Sequence, residues 1–498
     1  MKNLTVCSLL VLLALPAAGL ESHLVKDINP GPLGSNPRDL ATVDGAVLFI
    51  ASGGLWRSDG TDGGTLLLTD NALEAVHQLP RLRPVQAGRL YFFLNGHRGL
   101  SVSDGTVGGT FELTGPEVTI EWQSPAALSL WVPSQGALYF VARDLDHGFE
   151  LWRSDGTVAG THLVADVRPG PQGSTVEWLT EYKGKVWFAA NDGQHGGALW
   201  RTDGTPAGTV LAIDPSPSSA SNAAPEHIRV AGDRLTFFAS TPSLALGPQL
   251  WAGDGTVQGT APITALSGAK GPTTLYDSQV QGNRLYFVAE DKRGQQLWAS
   301  DGTRRGTRPL TRFAKRNAFS GGPGFQPPYG DLNGRFLFMA DDGVHGQEPW
   351  ITDGTPGGTR LLRDICPGTC SGFPVLGPVL GGRLYFTAKD PARGQELWST
   401  DGRASTHIVS DICPGSCDSR LYAPFVVGNR LVFVAWDGQT GEEVWSTDGT
   451  AEGTVRITDF EPPFIWEEDG FNGAVLDGRL LFGAPDALHG MELWTITP

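Results

Sequence analysis

Four cysteines in two similar segments are the first residues whose type and spacing suggest chemistry. They lie in the segments Asp-Ile-Cys-Pro-Gly-Thr-Cys and Asp-Ile-Cys-Pro-Gly-Ser-Cys, at Cys366, Cys370, Cys413 and Cys417. Because a Pro-Gly pair at the centre of a turn doubles the chain back, residues i and i+4 come within disulfide range. We therefore predict two local disulfides. A four-thiolate zinc site is the alternative. The lack of a nearby His pattern disfavours it, as does export to an oxidising compartment, which the first residues of the chain predict (see below).

A second candidate group consists of basic side chains that each precede a glycine in an Asp-containing loop: His147, His195, Arg293, His345, Arg393 and His489. The simpler interpretation is a bond from the Asp to the basic side chain within each loop. The sharper one is a crown of weakly basic groups that binds an anionic sugar or protein. Four tryptophans outside the repeated positions described below, Trp122, Trp178, Trp436 and Trp466, are candidates for sugar stacking, although packing is the simpler interpretation for each.

These candidates are set in a sequence that repeats with a period of about 48 residues. The repeated core resembles Glu-Leu-Trp-Ser-Thr-Asp-Gly-Thr, and nine Asp-Gly pairs follow one another at intervals of 45 to 52 residues. The Asp residues are Asp59, Asp104, Asp155, Asp203, Asp254, Asp301, Asp353, Asp401 and Asp448. The Trp residues are Trp56, Trp152, Trp200, Trp251, Trp298, Trp350, Trp398, Trp445 and Trp494. Such regular self-similarity is typical of a repeat architecture.

The repeated residues are expected to be structural. A bulky aromatic residue at one strand position in every unit indicates packing between units. In the Asp-Gly-Thr turn, Asp accepts backbone hydrogen bonds, Gly supplies a positive φ and Thr caps the turn. Calcium binding is an alternative role for the Asp residues, but each turn offers one carboxylate where calcium sites gather several oxygens. No other cofactor is indicated.

The pattern as a whole resembles the ELWxxDGT-repeat proteins, a bacterial family of exported proteins seen especially in myxobacteria. The resemblance covers essentially the whole chain after its first residues. Departures include Ser101 in place of Trp, Pro349 in place of Leu, and a shortened turn at Arg403. The resemblance implies secretion and carries no established activity.

Each unit divides into four short strand signals separated by Gly, Asp and Pro residues, which indicates an all-β fold. Second strands such as Leu285–Ala289 and Leu384–Ala388 are apolar on both faces and do not alternate with polar residues. A sheet buried on both faces requires such a pattern. We therefore predict a β-propeller of about ten four-stranded blades.

The two chain ends predict how the ring closes. Residues 23–28 match a fourth strand and residues 492–496 a third strand, so the last blade lacks the strand that the first residues supply. Their pairing would close a single ring and leave no free edge. Because ten units exceed the usual number of blades, two smaller propellers are the alternative.

The first 19 residues contain a Lys, an apolar run from Leu9 to Leu15 and then small residues, which is typical of a secretory signal peptide. The predicted organisation is therefore a signal peptide at 1–19 and one repeat-built domain at 20–498. No later apolar stretch is long enough to cross a bilayer. The net charge of -16 disfavours nucleic acid and anionic lipid as partners. We expect a secreted or cell-surface monomer with an extracellular protein or glycan as partner.

No sequence motif for catalysis fits the pattern of strands and turns. The GxSxG, HExxH, P-loop and dinucleotide fingerprints are absent from suitable contexts. We therefore expect a noncatalytic binding or adhesion scaffold that recognises its ligand through one loop face. Since propellers can gather catalytic groups from several blades, a secreted hydrolase or lyase acting on polysaccharide or peptide is the alternative.

Overall fold

The chain folds into antiparallel β-sheets. The computed structural model describes residues 20–70, 85–94, 99–120, 130–217, 225–240, 247–266, 275–319, 331–403, 405–460 and 471–497. Within these ranges it contains forty β-strands and one short 3-10 turn at Pro356–Gly358. The predicted all-β class is confirmed.

The strands form ten sheets, numbered here as blades 1 to 10 along the chain. The first strand, β1 (Glu21–Lys26), belongs to the last blade. Blade 1 contains β2 (Arg38–Val43), β3 (Ala46–Ala51), β4 (Gly54–Ser58) and β5 (Leu66–Thr69). Blade 2 contains β6 (Val85–Ala87), β7 (Leu90–Leu94), β8 (Leu100–Ser103) and β9 (Phe111–Glu112). Blade 3 contains β10 (Thr119–Ile120), β11 (Trp131–Ser134), β12 (Ala137–Asp144), β13 (Gly148–Ser154) and β14 (His162–Leu163). Blade 4 contains β15 (Glu177–Tyr182), β16 (Lys185–Asn191), β17 (Gly197–Thr202) and β18 (Val210–Ile213). Blade 5 contains β19 (Glu226–Ala231), β20 (Arg234–Ser240), β21 (Pro248–Gly253) and β22 (Thr260–Pro262).

The second half of the ring follows the same plan. Blade 6 contains β23 (Leu275–Gln281), β24 (Arg284–Asp291), β25 (Gly294–Ser300) and β26 (Arg308–Pro309). Blade 7 contains β27 (Phe336–Asp341), β28 (Gln347–Thr352) and β29 (Arg360–Leu361). Blade 8 contains β30 (Val375–Leu380), β31 (Arg383–Asp390), β32 (Gly394–Thr400) and β33 (Thr406–Ser410). Blade 9 contains β34 (Tyr422–Val427), β35 (Arg430–Ala435), β36 (Glu443–Thr447) and β37 (Val455–Arg456). Blade 10 contains β38 (Gly473–Leu476), β39 (Arg479–Asp486) and β40 (Gly490–Thr497), completed by β1.

Two blades depart from the four-stranded plan. In blade 3, β10 and β11 both pair with β12, which gives five strands. In blade 7, three strands pair within the described residues, and Asp331 forms an isolated bridge with Phe336 before β27. The predicted blade of four strands is correct for the other eight sheets.

The chain ends close the ring as predicted. Strand β1 pairs antiparallel with β40, and Leu24 lies opposite Trp494. The sheet order in blade 10 is β1, β40, β39, β38, so the N-terminal strand supplies the outer edge. The ten blades form one ring, and the alternative of two smaller propellers is wrong.

The core lies between the blades because each sheet buries both faces. All six residues of β3 are buried, which explains why the second strands carry no polar alternation. Phe49 in β3 lies opposite Trp56 in β4, and their ring centroids are 6.5 Å apart. Trp56 also packs with Val25, Leu481 and Leu493 of blade 10. The nine repeated Trp residues all pack in this way against the preceding blade.

The first strand of each blade lies nearest the central channel. The first strands of neighbouring blades approach one another, as in the pairs β15 and β19, β19 and β23, and β30 and β34. The fourth strands lie apart at the outer edge of the ring. Within the described residues no helix has both the length and the apolar composition needed to cross a bilayer.

Candidate functional site: the channel mouth and its loop face

The Asp-Gly-Thr turn between the third and fourth strands forms hydrogen bonds within itself. In blade 1, Oδ1 of Asp59 accepts from the Thr61 backbone N–H at 3.0 Å and from the Thr61 hydroxyl at 2.7 Å. The Gly64 N–H then donates to Thr61 Oγ1 at 3.0 Å. The hydroxyl bond from Thr61 is the largest influence on the pKa of Asp59, which is lowered. Equivalent bonds surround Asp104, Asp155, Asp203, Asp254, Asp301, Asp353 and Asp448, while Asp401 accepts from the N–H groups of Arg403 and Ser405.

Two glycines in this turn have different roles. Gly60 has a φ of 87°, which favours glycine. Gly64 has no such φ, but a Cβ there would overlap the Asp59 carboxylate. The turn also contacts the preceding blade: Arg284 Nη1 donates to the Gly354 carbonyl at 2.8 Å, and Arg335 Nη1 donates to the Gly402 carbonyl at 2.9 Å. The turns therefore help to hold neighbouring blades together.

No three His, Cys, Asp or Glu side chains in the described part of the chain are grouped so that they could hold a metal ion. Calcium binding at the Asp-Gly-Thr turns stays a hypothesis.

The predicted basic residues each bond to an Asp of their own loop. The Nδ1 atoms of the four histidines lie 2.7 to 2.8 Å from an Asp Oδ2, in the pairs His147–Asp144, His195–Asp192, His345–Asp342 and His489–Asp486. Arg293 pairs with Asp291 at 2.7 Å, and Arg393 pairs with Asp390 at 3.2 Å. The hydrogen bond to the Asp partner raises the pKa of His147, His195 and His489. Each basic group therefore has a carboxylate beside it that compensates its charge.

The two cysteine pairs form the predicted disulfides. Cys366 bonds to Cys370 and Cys413 bonds to Cys417, with Cα atoms 5.2 and 5.4 Å apart. The zinc alternative is therefore wrong. In blade 3 the same loop is closed by a side-chain hydrogen bond, since Arg168 Nη2 donates to Gln172 Oε1 at 2.5 Å. The disulfides thus occur in a loop shape that the fold also builds without cysteine.

The disulfide loops and the basic loops lie on the same face of the ring, as expected. A Cβ at Gly346, next to His345, would overlap the Cys370 carbonyl, and one at Gly394, next to Arg393, would overlap the Cys417 carbonyl. We call this side of the ring the loop face. Trp466 and the predicted signal peptide at 1–19 lie outside the described residues.

In five units a Glu lies two residues before the repeated Trp, and it has a role that the sequence analysis missed. Glu348 is fully buried and accepts hydrogen bonds from the N–H groups of Ile365, Cys366 and Gly372, at 3.0 to 3.1 Å. It therefore holds both sides of the first disulfide loop. Glu150, Glu396, Glu443 and Glu492 hold the corresponding connections.

Burial shifts the pKa values of three of these carboxyls, those of Glu150, Glu348 and Glu396. Burial raises the pKa of Glu348 to about 7, against the lowering effect of its three N–H donors. Burial likewise raises the pKa of Glu150 to about 7 and that of Glu396 to about 8. Gln249 and Gln296 replace Glu in two blades, where the side-chain amide also donates to a backbone carbonyl. The recurrence of Glu or Gln at this position was visible in the sequence, but its purpose depends on a buried space that only the fold defines.

A group of nonrepeated residues lies where blades 4, 5 and 6 meet the channel. It consists of Glu177, Trp178, Glu226, His227, Arg229 and Ser278, and we call it the channel cluster. Trp178 and His227 stack with ring centroids 4.3 Å apart, and the Arg229 guanidinium lies 5.3 Å from the Trp178 ring centroid. The Ser278 hydroxyl is 3.2 Å from His227 Nδ1.

The backbone places this cluster at the loop-face end of the channel. Glu177 begins β15 and lies opposite Ala189, two residues before β16 ends at the loop that carries His195. Glu226 begins β19 in the same way. The next residues, Trp178 and His227, have φ values of 59° and 51°, which are uncommon for side chains of this size. Asp39 and Ala423 share this conformation at the equivalent position, so the bulge belongs to the fold and the side chains placed there differ.

The electrostatics of the cluster also differ from the rest of the loop face. Neither the Glu177 carboxyl group nor the Glu226 carboxyl group forms a hydrogen bond or ion pair with a described residue. Burial raises the pKa of Glu177, and the charge of Glu226 raises it further. Burial also raises the pKa of Glu226, although its side chain is exposed. Burial, and then the charge of Arg229, lower the pKa of His227 to about 4, so its imidazole is neutral at pH 7.

The fold and this site define a ten-bladed propeller with a lined channel mouth. Solved structures with a related arrangement include a puromycin hydrolase, at 15% identity and a TM-score of 0.36, with 81% of this chain and 58% of that chain covered. A puromycin-hydrolyzing peptidase from Mycobacterium tuberculosis matches at 13% identity and a TM-score of 0.32, with the same two coverages. A prolyl endopeptidase matches at 13% identity and a TM-score of 0.33, covering 71% and 52% of the two chains.

The chain thus spans less than two thirds of the length of each of these proteins. Identities and TM-scores at this level do not transfer an activity. No protein-family model matches the sequence, and no curated protein matches it either.

Proposed function

We propose that the protein is an exported scaffold that binds an extracellular ligand at the channel mouth on the loop face. The observation that carries the proposal is the channel cluster, in which a stacked aromatic pair lies beside two carboxylates without a described partner. Apart from the Glu that blades 4 and 5 share, these residues do not repeat from blade to blade, whereas the turn and packing residues do. Nonrepeated side chains on a rigid repeated frame are the expected arrangement for recognition.

The basic loops would then form the rim around the ligand. Because each His or Arg of the rim is paired with an Asp, the rim adds hydrogen-bonding groups with little net charge. Membership of the ELWxxDGT-repeat family and secretion are part of the same proposal. The two disulfides support an oxidising compartment.

The test is ligand capture on glycan and peptide arrays, followed by equilibrium binding of the best ligand. Glu177→Gln with Glu226→Gln should weaken binding at least tenfold, since charge is removed while shape is kept. The matched control is Glu112→Gln with Glu452→Gln, which removes two exposed carboxylates outside the channel. Equal affinity of the channel and control variants would reject the channel cluster as the site. The triple variant His147→Ala, His195→Ala and His345→Ala tests the rim in the same assay.

Hydrolysis of polysaccharide or peptide is a second candidate, and a specific observation favours it. Glu177 and Glu226 begin neighbouring strands, and each has a raised pKa. A carboxyl whose pKa is raised can act as a general acid beside an ionised partner. Purified protein would then turn over substrates in a hydrolase panel, and Glu226→Gln alone would abolish turnover. Binding without turnover across the panel would leave the scaffold proposal in place.

A further inference from the structure

The outer edge of blade 6 carries a concentration of positive charge that departs from the rest of the protein. Six basic residues lie between positions 304 and 316, and no acidic residue occurs between Asp301 and Asp331. The chain as a whole has 53 acidic and 37 basic residues. We call Arg304, Arg305, Arg308, Arg312, Lys315 and Arg316 the basic stripe.

The basic stripe follows the blade from one face of the ring to the other. Arg304 and Arg305 are in the Asp-Gly-Thr turn, Arg308 is in the outermost strand β26, and Lys315 and Arg316 lie on the loop face. All but Arg308 are exposed, and Arg308 is half-buried. The positive groups therefore form a line along the outer edge of the ring.

The charges of the stripe are mostly uncompensated. Arg304 donates to the Pro262 carbonyl and Arg308 to the Gly354 carbonyl, at 3.1 and 3.4 Å, so neither contact neutralises the guanidinium. Lys315 pairs with Asp341. Arg305, Arg312 and Arg316 form no ion pair with any residue in the described ranges. In contrast, the six predicted basic residues of the loop-face hairpins each have an Asp partner.

Where the stripe reaches the loop face it borders a cavity of about 380 Å³. The cavity lies between the connection from blade 6 to blade 7 and the first disulfide loop, and Ala314, Lys315, Asp341, Gly343, Gly346 and Thr369 line it. Its volume suits a small polar group such as a sugar ring.

We propose that the basic stripe binds a linear acidic polysaccharide, independently of the channel mouth. A line of separated cations matches a flexible polymer whose negative charges recur along its length. No large apolar side chain of the stripe's described segment is exposed, whereas surfaces that enter a bilayer present apolar residues. No exposed aromatic ring lies there to stack on bases, which disfavours single-stranded nucleic acid. Attachment at the outer edge of the ring would leave the channel open to its own ligand.

The experiment compares dextran sulfate with uncharged dextran, which share a backbone, by surface plasmon resonance at several salt concentrations. We expect binding to dextran sulfate alone, weakening as salt increases. The variant Arg305→Ser, Arg312→Ser and Arg316→Ser should bind roughly tenfold or more weakly, because three uncompensated charges are lost. The control variant Arg89→Ser with Arg403→Ser removes exposed charges on blades 2 and 8 and should bind as the unaltered protein does.

Several outcomes would overturn the proposal. One is equal loss in the stripe and control variants, which would indicate attraction without a site. Another is stripe-dependent binding to anionic vesicles or duplex DNA that is stronger than binding to dextran sulfate. Unaltered thermal unfolding of the triple variant shows that the fold is intact. Because the channel residues are untouched, failure here leaves the channel proposal standing.

Discussion

Glu492 accepts a hydrogen bond of 3.0 Å from the backbone N–H of Ile28, which lies 464 residues earlier in the chain. The same carboxylate accepts from the Asn29 N–H at 3.1 Å and from the Ser35 hydroxyl at 2.6 Å. Glu492 is fully buried, so these donors replace its hydration. The ring is thus closed by strand pairing and also by one buried carboxylate that joins the two ends.

Replacing this carboxylate should loosen the closure. In Glu492→Gln an amide N–H₂ must face backbone N–H donors, and we expect a loss of about 1–3 kcal/mol in the free energy of unfolding. Urea unfolding measures the change. Glu21→Gln is the control, because Glu21 is exposed at the start of β1. A Glu492→Gln protein as stable as the control would show that the carboxylate contributes nothing to closure.

The buried glutamates predict a specific dependence of stability on pH. The pKa values of Glu150, Glu348 and Glu396 are raised from 4.5 to about 7 or 8 in the folded protein. Between pH 4.5 and about 8 the folded state therefore binds more protons than the unfolded state does. Its extra stability is complete below about pH 4.5 and is lost as the pH rises through 7 to 8. The thermal midpoint should be higher at pH 5 than at pH 8.5.

The variant Glu396→Gln removes one of these groups and should reduce the difference between the two midpoints. Glu112→Gln, which alters an exposed carboxyl on blade 2, should leave the difference unchanged. At the acid end, the Asp residues of the turns have lowered pKa values, so their contribution is lost as the pH falls below 3.8. A midpoint that rises steadily from pH 5 to pH 8.5 would contradict the assignment.

The sequence predicts more of the fold than of the candidate site. The fold could be predicted because the Trp and Asp spacing repeats, and because residues 23–28 match the fourth strand that begins at His162. The channel cluster could not, since Trp178 and His227 meet only through the bulges of two blades. Trp178 stood outside the repeat, which was the available signal, but its partner carried none. The fifth strand of blade 3 likewise follows no repeated pattern.

The disulfides should add stability without determining the loop shape. For a closed loop of five residues, chain-entropy loss predicts that Cys366→Ser with Cys370→Ser costs about 2 kcal/mol. The Glu348 carboxylate still holds the N–H groups on both sides, so hydrogen exchange of this loop should stay slow. In Glu348→Gln the disulfide remains but exchange should become faster. The opposite order of the two exchange rates would show that the disulfide is what holds the loop.

The two adjacent glycines of one turn provide a matched pair of substitutions. A Cβ at Gly64 would overlap the Asp59 carboxylate, whereas a Cβ at Gly63 would meet no atom within 4 Å. We expect Gly64→Ala to destabilise the protein by about 1–3 kcal/mol, because the carboxylate must move and release Thr61. Gly63→Ala should change stability by less than about 0.5 kcal/mol. Equal effects in thermal unfolding would refute this account of the turn.

The closed ring brings the channel cluster together. Crosslinking of the two chain ends tests the closed ring most directly. Glu21 lies opposite Thr497 in the closing strand pair. With Glu21→Cys and Thr497→Cys, a short bifunctional thiol reagent should link the two ends within one monomer, as identified by mass spectrometry of the joined peptides. Glu21→Cys with Glu112→Cys, which places the second thiol on blade 2, should give no such product. Free thiols at positions 21 and 497, or links formed only between molecules, would contradict the single closed ring.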